Sequence, residues 1–459
     1  MITLSCVEIS RMLGAKLLGA DQQITSVSTD SRSITAGELF IALKGPNFDG
    51  AAFVSDVKAK GAVAVVLEQP VAEDITQLIV PDTRLALGQL AAAVKQRLAV
   101  KTIAVTGSAG KTTVKEMMAA ILGRLGTVLS TQGNFNNDIG VPLTMLRLTA
   151  QHQYAVLELG ANHQGEIAYT TSLAKPDVAI ITNVAPSHLE GFGDVYGVAR
   201  AKGEIFNGLP AQGVAIVPAD SEYRDYWLRR LDNNQVLQFS ATSPAADYHA
   251  ENIVLDHQGC AGFELVCPAG RQTVQLTIPG KHNVANALAA AAACIAVGAS
   301  LADVAQGLGQ MQAVKGRTNV KLLSPQLRLI DDTYNANVES VKAAIDLLAS
   351  YSGFRVLVLG DMAELGADAR LYHEEIGLYA KKAGINLLFT LGVLSQSASD
   401  LFNGQGAHFS SRQALLQRLM PIVSEQQAVT LLVKGSRSAK MELVVQDLLE
   451  RCQQESSPC

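Results

Sequence analysis

The sequence predicts an α/β protein of three domains: a small N-terminal α/β unit, a central P-loop ATPase-type domain on a parallel sheet, and a C-terminal Rossmann-like domain. Three observations carry this. A chain of 459 residues exceeds one ordinary core. Apolar, β-branched runs alternate with segments of helical period, the pattern of parallel sheets. The stretch Lys101-Thr-Ile-Ala-Val-Thr-Gly-Ser-Ala-Gly-Lys-Thr-Thr113 passes from such a run through a glycine turn into a helix. The expected bounds are 1–98, 99–316 and 317–459.

Composition narrows the class. Hydrophobic residues make up 48% and charged residues 17%, as in a well-packed soluble enzyme. A net charge of -5 gives no electrostatic case for nucleic acid or an anionic membrane. Cys6, Cys260, Cys267, Cys294, Cys452 and Cys459 form no CxxC pair, and free thiols in a reducing compartment explain them better than zinc held by His257 and its neighbours. Glu8 and Arg11 interrupt the first apolar residues, unlike a signal peptide, and the uncharged run Ala287 to Ala299 is too short to span a bilayer. A cytoplasmic monomer is expected.

In the first domain, strands are expected at Ile24 to Ser28, Gly37 to Leu43 and Ala62 to Leu67, with a helix over 51–60. Asp82 suits the N-cap of a helix through Leu98. The loops Thr29–Arg32 and Lys44–Gly50 follow strand ends, where α/β folds bind ligands; solvated turns would look the same.

The central domain opens on the phosphate loop. Ile103, Ala104 and Val105 suit a buried strand, while Val114, Met117, Met118, Ile121 and Leu122 recur at helical spacing. A helix N-terminus after a glycine turn offers backbone N–H groups and a favourable dipole to phosphate. Gly107, Ser108, Ala109, Gly110, Lys111, Thr112 and Thr113 would then cradle a nucleotide triphosphate, with Lys111 on its β and γ phosphates and the Thr112 hydroxyl on Mg²⁺. The loop is shorter than G-x-x-x-x-G-K-[ST], because Val105 stands where that pattern has glycine. A glycine turn with a solvated lysine is the plainer alternative, and the strand-to-helix setting argues against it.

Further along, Tyr154 to Gly160 is an apolar strand that delivers Glu158 beside the loop, where a carboxylate serves as a second Mg²⁺ ligand or as a paired structural group. The strand Asp177 to Asn183 brings out His188, and a helix from Val195 to Phe206 bears Lys202. Asn283 and Asn286, three apart on an alanine-rich helix, share a face and suit an adenine edge, although caps and surface amides are commoner uses.

The last domain repeats strand and helix. Leu327 to Ile330 is a strand with Asp331 to Asn337 as its exit loop. Val338, Val341, Ile345 and Leu348 mark one helix face. Strands follow at Arg355 to Leu359, Leu387 to Leu391 and Val429 to Val433, and the tail Glu455 to Cys459 is expected to fray.

The ordered set Thr106-Gly-Ser-Ala-Gly-Lys-Thr-Thr113, Asn136-Asn137, Glu158, Asn183 with His188, Ala201-Lys-Gly-Glu204, Gly280-Lys-His-Asn-Val-Ala-Asn-Ala287, Gly316-Arg317 and Asp331-Asp332 resembles the Mur ligases, ATP-dependent amide ligases of peptidoglycan synthesis. The resemblance spans essentially the whole chain, and the short phosphate loop is that family's own form. Glu158 to Glu166, Asp332 to Asn337 and Leu359 to Gly366 resemble the branch that adds D-alanyl-D-alanine; the D-N-P-R of the branch adding the third residue is absent. Val338 stands where relatives usually carry proline.

The resemblance implies an ATP-driven joining of D-alanyl-D-alanine to UDP-N-acetylmuramoyl-tripeptide through an acyl phosphate. It implies two Mg²⁺ ions, one on Thr112 and Glu158, the other near His188 and a carbamylated Lys202. It places Asn283 and Asn286 on adenine, Arg317 on phosphates and Asp332 on ribose. Ser31, Arg32, Lys44 and Asp49 would hold the uridine diphosphate in the first domain. Asn137 would meet the substrates, and Asn335 and Asn337 the dipeptide. A nucleotide-gated switch and a sibling ligase such as a folylpolyglutamate synthetase are the rivals.

Overall fold

The structure, a computed structural model, describes residues 1–456 apart from 232, 403 and 404. Three sheets follow one another along the chain. The first has five strands in the order Lys16–Leu18, Thr76–Ile79, Ala64–Leu67, Glu38–Ile41 and Ser26–Ser28, parallel except for the first pair. The strand expected from Ile24 to Ser28 is split at Thr25. Gln23–Ile24 pairs antiparallel with Leu4–Ser5, and only Ser26–Ser28 joins the main sheet. Lys44 to Gly50 is not an open loop: Lys44–Gly45 and Phe48–Asp49 form a small hairpin. Asp82 caps the helix Thr83–Gln96, accepting from the Arg84 and Leu85 amides.

The central sheet has nine strands in the order Val128–Ser130, Tyr154–Glu158, Lys101–Thr106, Val178–Ile181, Val214–Pro218, Gln235–Ser240, Tyr248–Leu255, Cys260–Cys267 and Gly270–Pro279. The first seven are parallel and the last two return antiparallel. Lys101–Thr106 is flanked on both sides by later strands, so the phosphate loop leaves the sheet where strand order reverses, the place where such sheets bind ligands. Ile103 and Val105 face one core and Ala104 the other, which is why the strand reads as continuously apolar. Ala287 and Ala289 to Ala293 are buried on the helix Asn283–Ala296. Their small side chains let it approach the phosphate-loop helix Lys111–Leu122, where the Cys294 thiol lies against the Met118 carbonyl.

The third sheet has six strands in the order Asn319–Ser324, Leu327–Asp332, Val429–Lys434, Phe354–Gly360, Leu387–Leu391 and Gly406–Phe409, parallel except for the first pair. Leu327–Asp332 runs two residues beyond expectation, so Asp331 and Asp332 end the strand rather than open the loop. Val338, Val341, Ile345 and Leu348 are buried on the helix Val338–Ser350. The final helix, Glu442–Ser456, takes in Glu455 and Ser456 of the tail expected to fray; 457–459 lie outside the described residues. Among the described residues no helix is long and apolar enough to cross a membrane.

Candidate active site

The phosphate loop is held in a shape only glycine allows. Gly107 has φ 151° and Gly110 φ 79°, and added Cβ atoms would lie 1.8 Å from Thr182 Oγ1 and 2.6 Å from Asn286 Oδ1. Asn183 clamps the turn: its carbonyl accepts from the Ser108 amide at 3.1 Å and its Oδ1 from the Ala109 amide at 2.9 Å. The Lys111 ammonium folds back to donate to the Gly107 carbonyl at 2.7 Å. Burial pushes its pKa down, against the pull of nearby Glu158.

Behind the loop lies a buried oxygen pair. Glu158, 3% exposed at the end of its strand, accepts from the Thr112 hydroxyl at 2.9 Å. Its other oxygen accepts from Asn136 Nδ2 at 2.9 Å, and its amide donates to Thr131 Oγ1. Arg317 arrives from the far side of the chain, donating from Nη2 to Thr112 Oγ1 at 2.9 Å with its guanidinium over the Tyr334 ring. Among the described residues its Nε is buried without a hydrogen-bond partner. A carboxylate and a hydroxyl in direct contact are a hard-oxygen set suited to Mg²⁺, and the orphaned Nε is a donor suited to phosphate.

Lys202 is 1% exposed on the helix Val195–Gly203. Among the described residues its Nζ makes no hydrogen bond or ion pair, and the Phe192 ring lies 5.6 Å away. Burial, then Lys111, holds its pKa down to about 7. The same Phe192 packs edge-on against His188, whose Nδ1 touches the Glu364 carboxylate. Lys202 and His188 therefore flank one aromatic ring.

A cavity of about 660 Å³ runs from the phosphate loop to Asn283, Asn286, Phe239 and Ile278 on one side, and to Arg317, Asp332, Asn335, Asn337 and Lys434 on the other. Asn283 and Asn286 share a face as expected and bond to each other at 2.9 Å, while Asn283 Nδ2 donates to the Pro279 carbonyl. Three of the expected site residues also make contacts within the protein. Asp332 is engaged by Lys434 Nζ at 2.5 Å and by the Thr318 amide. Asn337 caps its helix through the Ser340 amide and donates to the Ser108 carbonyl at 3.0 Å, so it ties the third sheet to the phosphate loop. Asn335 Oδ1 accepts from the Ala336 amide, and its carbonyl accepts from Lys434.

Ser31, Arg32, Lys44 and Asp49 lie apart from this cavity, at the strand ends of the first sheet. Arg32 pairs with Asp30, whose carboxyl it holds down to about 2, and Lys60 donates to the Ser31 carbonyl. Lys44 stands opposite Asp49 in the hairpin, and Asp49 accepts from the Ala51 amide. Asn137 is exposed and accepts from the Gly140 amide; its neighbour Asn136 is the one that reaches Glu158. Sequence reasoning missed Asn136 as a site residue, and Lys434 too. Lys434 ends an apolar strand just as Glu158 does, and that was its signal.

Residues 105–294 match the Mur ligase middle domain, 316–437 the Mur ligase glutamate ligase domain, and 23–113 the Mur ligase family catalytic domain. The chain belongs to the Mur ligase family. It is 49% identical to the UDP-N-acetylmuramoyl-tripeptide--D-alanyl-D-alanine ligase of Escherichia coli K12, covering 98% of this chain and 99% of that one. It is 45% identical to that of Haemophilus influenzae over the same shares. Among solved structures, a MurF of Acinetobacter baumannii superposes with a TM-score of 0.93 at 39% identity, covering 98% and 99% of the two chains. The MurF ligase of Thermotoga maritima in complex with ADP gives 0.83 at 26% identity, covering 94% and 98%.

Proposed function

We propose that the chain joins D-alanyl-D-alanine to UDP-N-acetylmuramoyl-tripeptide at the expense of ATP, giving the pentapeptide precursor of peptidoglycan, ADP and phosphate. One observation carries the reading: Lys111, the Thr112–Glu158 pair and Arg317 converge on one loop, in a chain alike end to end with ligases of that name. ADP bound to the Thermotoga maritima relative supports ATP as the nucleotide.

A carboxylate resists amine attack until one of its oxygens becomes a leaving group. Transfer of the γ-phosphoryl to the tripeptide carboxylate supplies that group. The incoming amine then attacks the acyl carbon, and phosphate leaves. The first step brings two anions together, so fixed positive charge is the main requirement. Lys111 and Arg317 provide it on the phosphates, and the loop amides orient them. Asn283 and Asn286 serve the adenine end. Asp332, held by Lys434, keeps one face toward the cavity for the ribose, and Asn335 stands beside it toward the dipeptide.

Thr112 and Glu158 would hold one Mg²⁺, and His188 with carbamylated Lys202 a second; bound there, the ions neutralise phosphate charge. An ammonium cannot ligate a cation, whereas a carbamate can. Lys202 suits that conversion: it is buried, its amine has no hydrogen-bond or ion-pair partner among the described residues, and its pKa is held to about 7, so a free base is present to take up CO₂. The first domain, 1–98, would own the uridine diphosphate end through Ser31, Arg32, Lys44 and Asp49, with 99–316 owning ATP and 317–459 the dipeptide. Cytoplasmic residence and a monomeric state complete the proposal.

ADP release should depend on both the muropeptide and D-alanyl-D-alanine. A rate unmoved by withholding either would refute ligation. In ¹³C-bicarbonate, a carbamate resonance should appear and vanish in Lys202→Arg; its absence from the active enzyme would remove the carbamate alone.

A further inference from the structure

Glu364 lies outside every role assigned above, on the loop between the strand Phe354–Gly360 and the helical turn at Gly366. The loop is pinned on both sides. The Asp361 carboxylate accepts from the amides of Val393, Leu394 and Ser395, and the Met362 amide donates to buried His373 at 2.9 Å. From this fixed base Glu364 projects with φ 63°, a left-handed conformation that non-glycine residues adopt only when their surroundings demand it.

What it meets is His188, itself left-handed at φ 52°. The Glu364 carbonyl accepts from the Leu189 amide at 2.9 Å, and its carboxylate lies in ion-pair contact with His188 Nδ1, which makes no hydrogen bond among the described residues. One residue of the C-terminal domain thus holds the backbone of the turn that carries His188 and sets a carboxylate against its imidazole. A carboxylate beside Nδ1 favours the tautomer with its proton there, and a small ring rotation would complete the hydrogen bond by which proteins set metal-binding histidines. Because Glu364 belongs to another domain from His188, that contact exists only while the domains are docked.

We infer that Glu364 is a positioning residue that couples docking of the C-terminal domain to assembly of the His188 site. This rests on the reading of His188 as a metal ligand. Docking would then do two things at once. Asn337 and Arg317 complete the nucleotide end, and Glu364 completes the His188 end, so phosphoryl transfer is favoured when the amine-bearing domain is in place.

The test uses full-length wild type, Glu364→Gln and His188→Ala in bicarbonate buffer. Mn²⁺ alone is titrated and the free ion read by electron paramagnetic resonance, beside steady-state kinetics. Glu364→Gln should lower kcat by about 10–100-fold with KM for ATP within about twofold, and weaken one Mn²⁺ site about tenfold. His188→Ala should lose that same site. A purely structural Glu364 would leave Mn²⁺ affinity unmoved. If Glu364→Gln keeps wild-type Mn²⁺ affinity while His188→Ala loses a site, the positioning role is refuted and the metal reading stands. If neither variant alters Mn²⁺ binding, the metal reading fails and the inference with it.

Discussion

Replacing Lys202 with methionine should make the protein inactive and more stable. Lys202 is 1% exposed, and burial with help from Lys111 lowers its pKa from 10.5 to about 7. At 1.36 kcal/mol per pH unit, that fall means the folded state disfavours the charged form by about 5 kcal/mol. Methionine fills much the same volume without a charge, so below pH 7 the variant should gain up to that amount. Above pH 7 the folded protein binds fewer protons here than the unfolded chain, so wild-type stability rises with pH. The advantage should therefore shrink by about 3 kcal/mol between pH 7 and 9.5. Trp227, the single tryptophan, packs on Gly203 and donates from Nε1 to the Ala199 carbonyl of the helix bearing Lys202. Its fluorescence in urea follows the relevant transition in a chain too large for one two-state step. Buffers must be free of CO₂, since carbamate formation would relieve the penalty. A Lys202→Met protein less stable than wild type at pH 6.5, or a gap constant to pH 9.5, would refute the reasoning.

Lys111→Ala should cost at least about 100-fold in turnover with circular dichroism unchanged, because phosphate charge is left uncompensated; near-normal ligation would sink the nucleotide site. Asn136→Ala strips the donor from one Glu158 oxygen and should raise the Mg²⁺ needed for half-maximal rate about tenfold, measured by ADP release against free Mg²⁺. Lys434→Met leaves Asp332, whose side chain is 14% exposed, without its partner. A loss of about 3–5 kcal/mol in urea is expected, largely recovered by adding Asp332→Asn.

Features with a local cause were legible in the sequence. The phosphate loop shows itself because a strand, a glycine turn and a helix occur within 13 consecutive residues, 101–113. Asp82 and the helix Val338–Ser350 likewise follow from a cap and a period. The antiparallel strands of 248–279 escaped because one face is wet. Val274, Leu276 and Ile278 point inward while Arg271, Thr273 and Gln275 break the apolar run. Asn136 and Asn137 are chemically identical neighbours, and only the backbone path decides which reaches Glu158. The Lys434–Asp332 pair joins positions 102 apart, beyond any periodicity.

The site is arranged against its own cations, and this explains its need for ligands. Lys111, Lys202 and Arg317 gather around Glu158, whose oxygens are already taken by Thr112 and Asn136, while Glu204 and Glu166 only partly offset the burial of Lys202. Lys111 depresses Lys202, and Arg317 depresses Lys111, so each cation weakens the next. Among the described residues Arg317 keeps one buried donor unsatisfied beside the same loop. A triphosphate entering here relieves all of these strains together, while a neutral or singly charged ligand relieves few of them. On the proposed roles of these residues, binding energy would be concentrated where negative charge gathers during phosphoryl transfer, the condition for accelerating the chemical step rather than merely retaining the nucleotide. The contacts from Arg317, Asn337 and Glu364 all come from the domain proposed to carry the amine, so that arrangement is complete only when the second substrate's domain has docked.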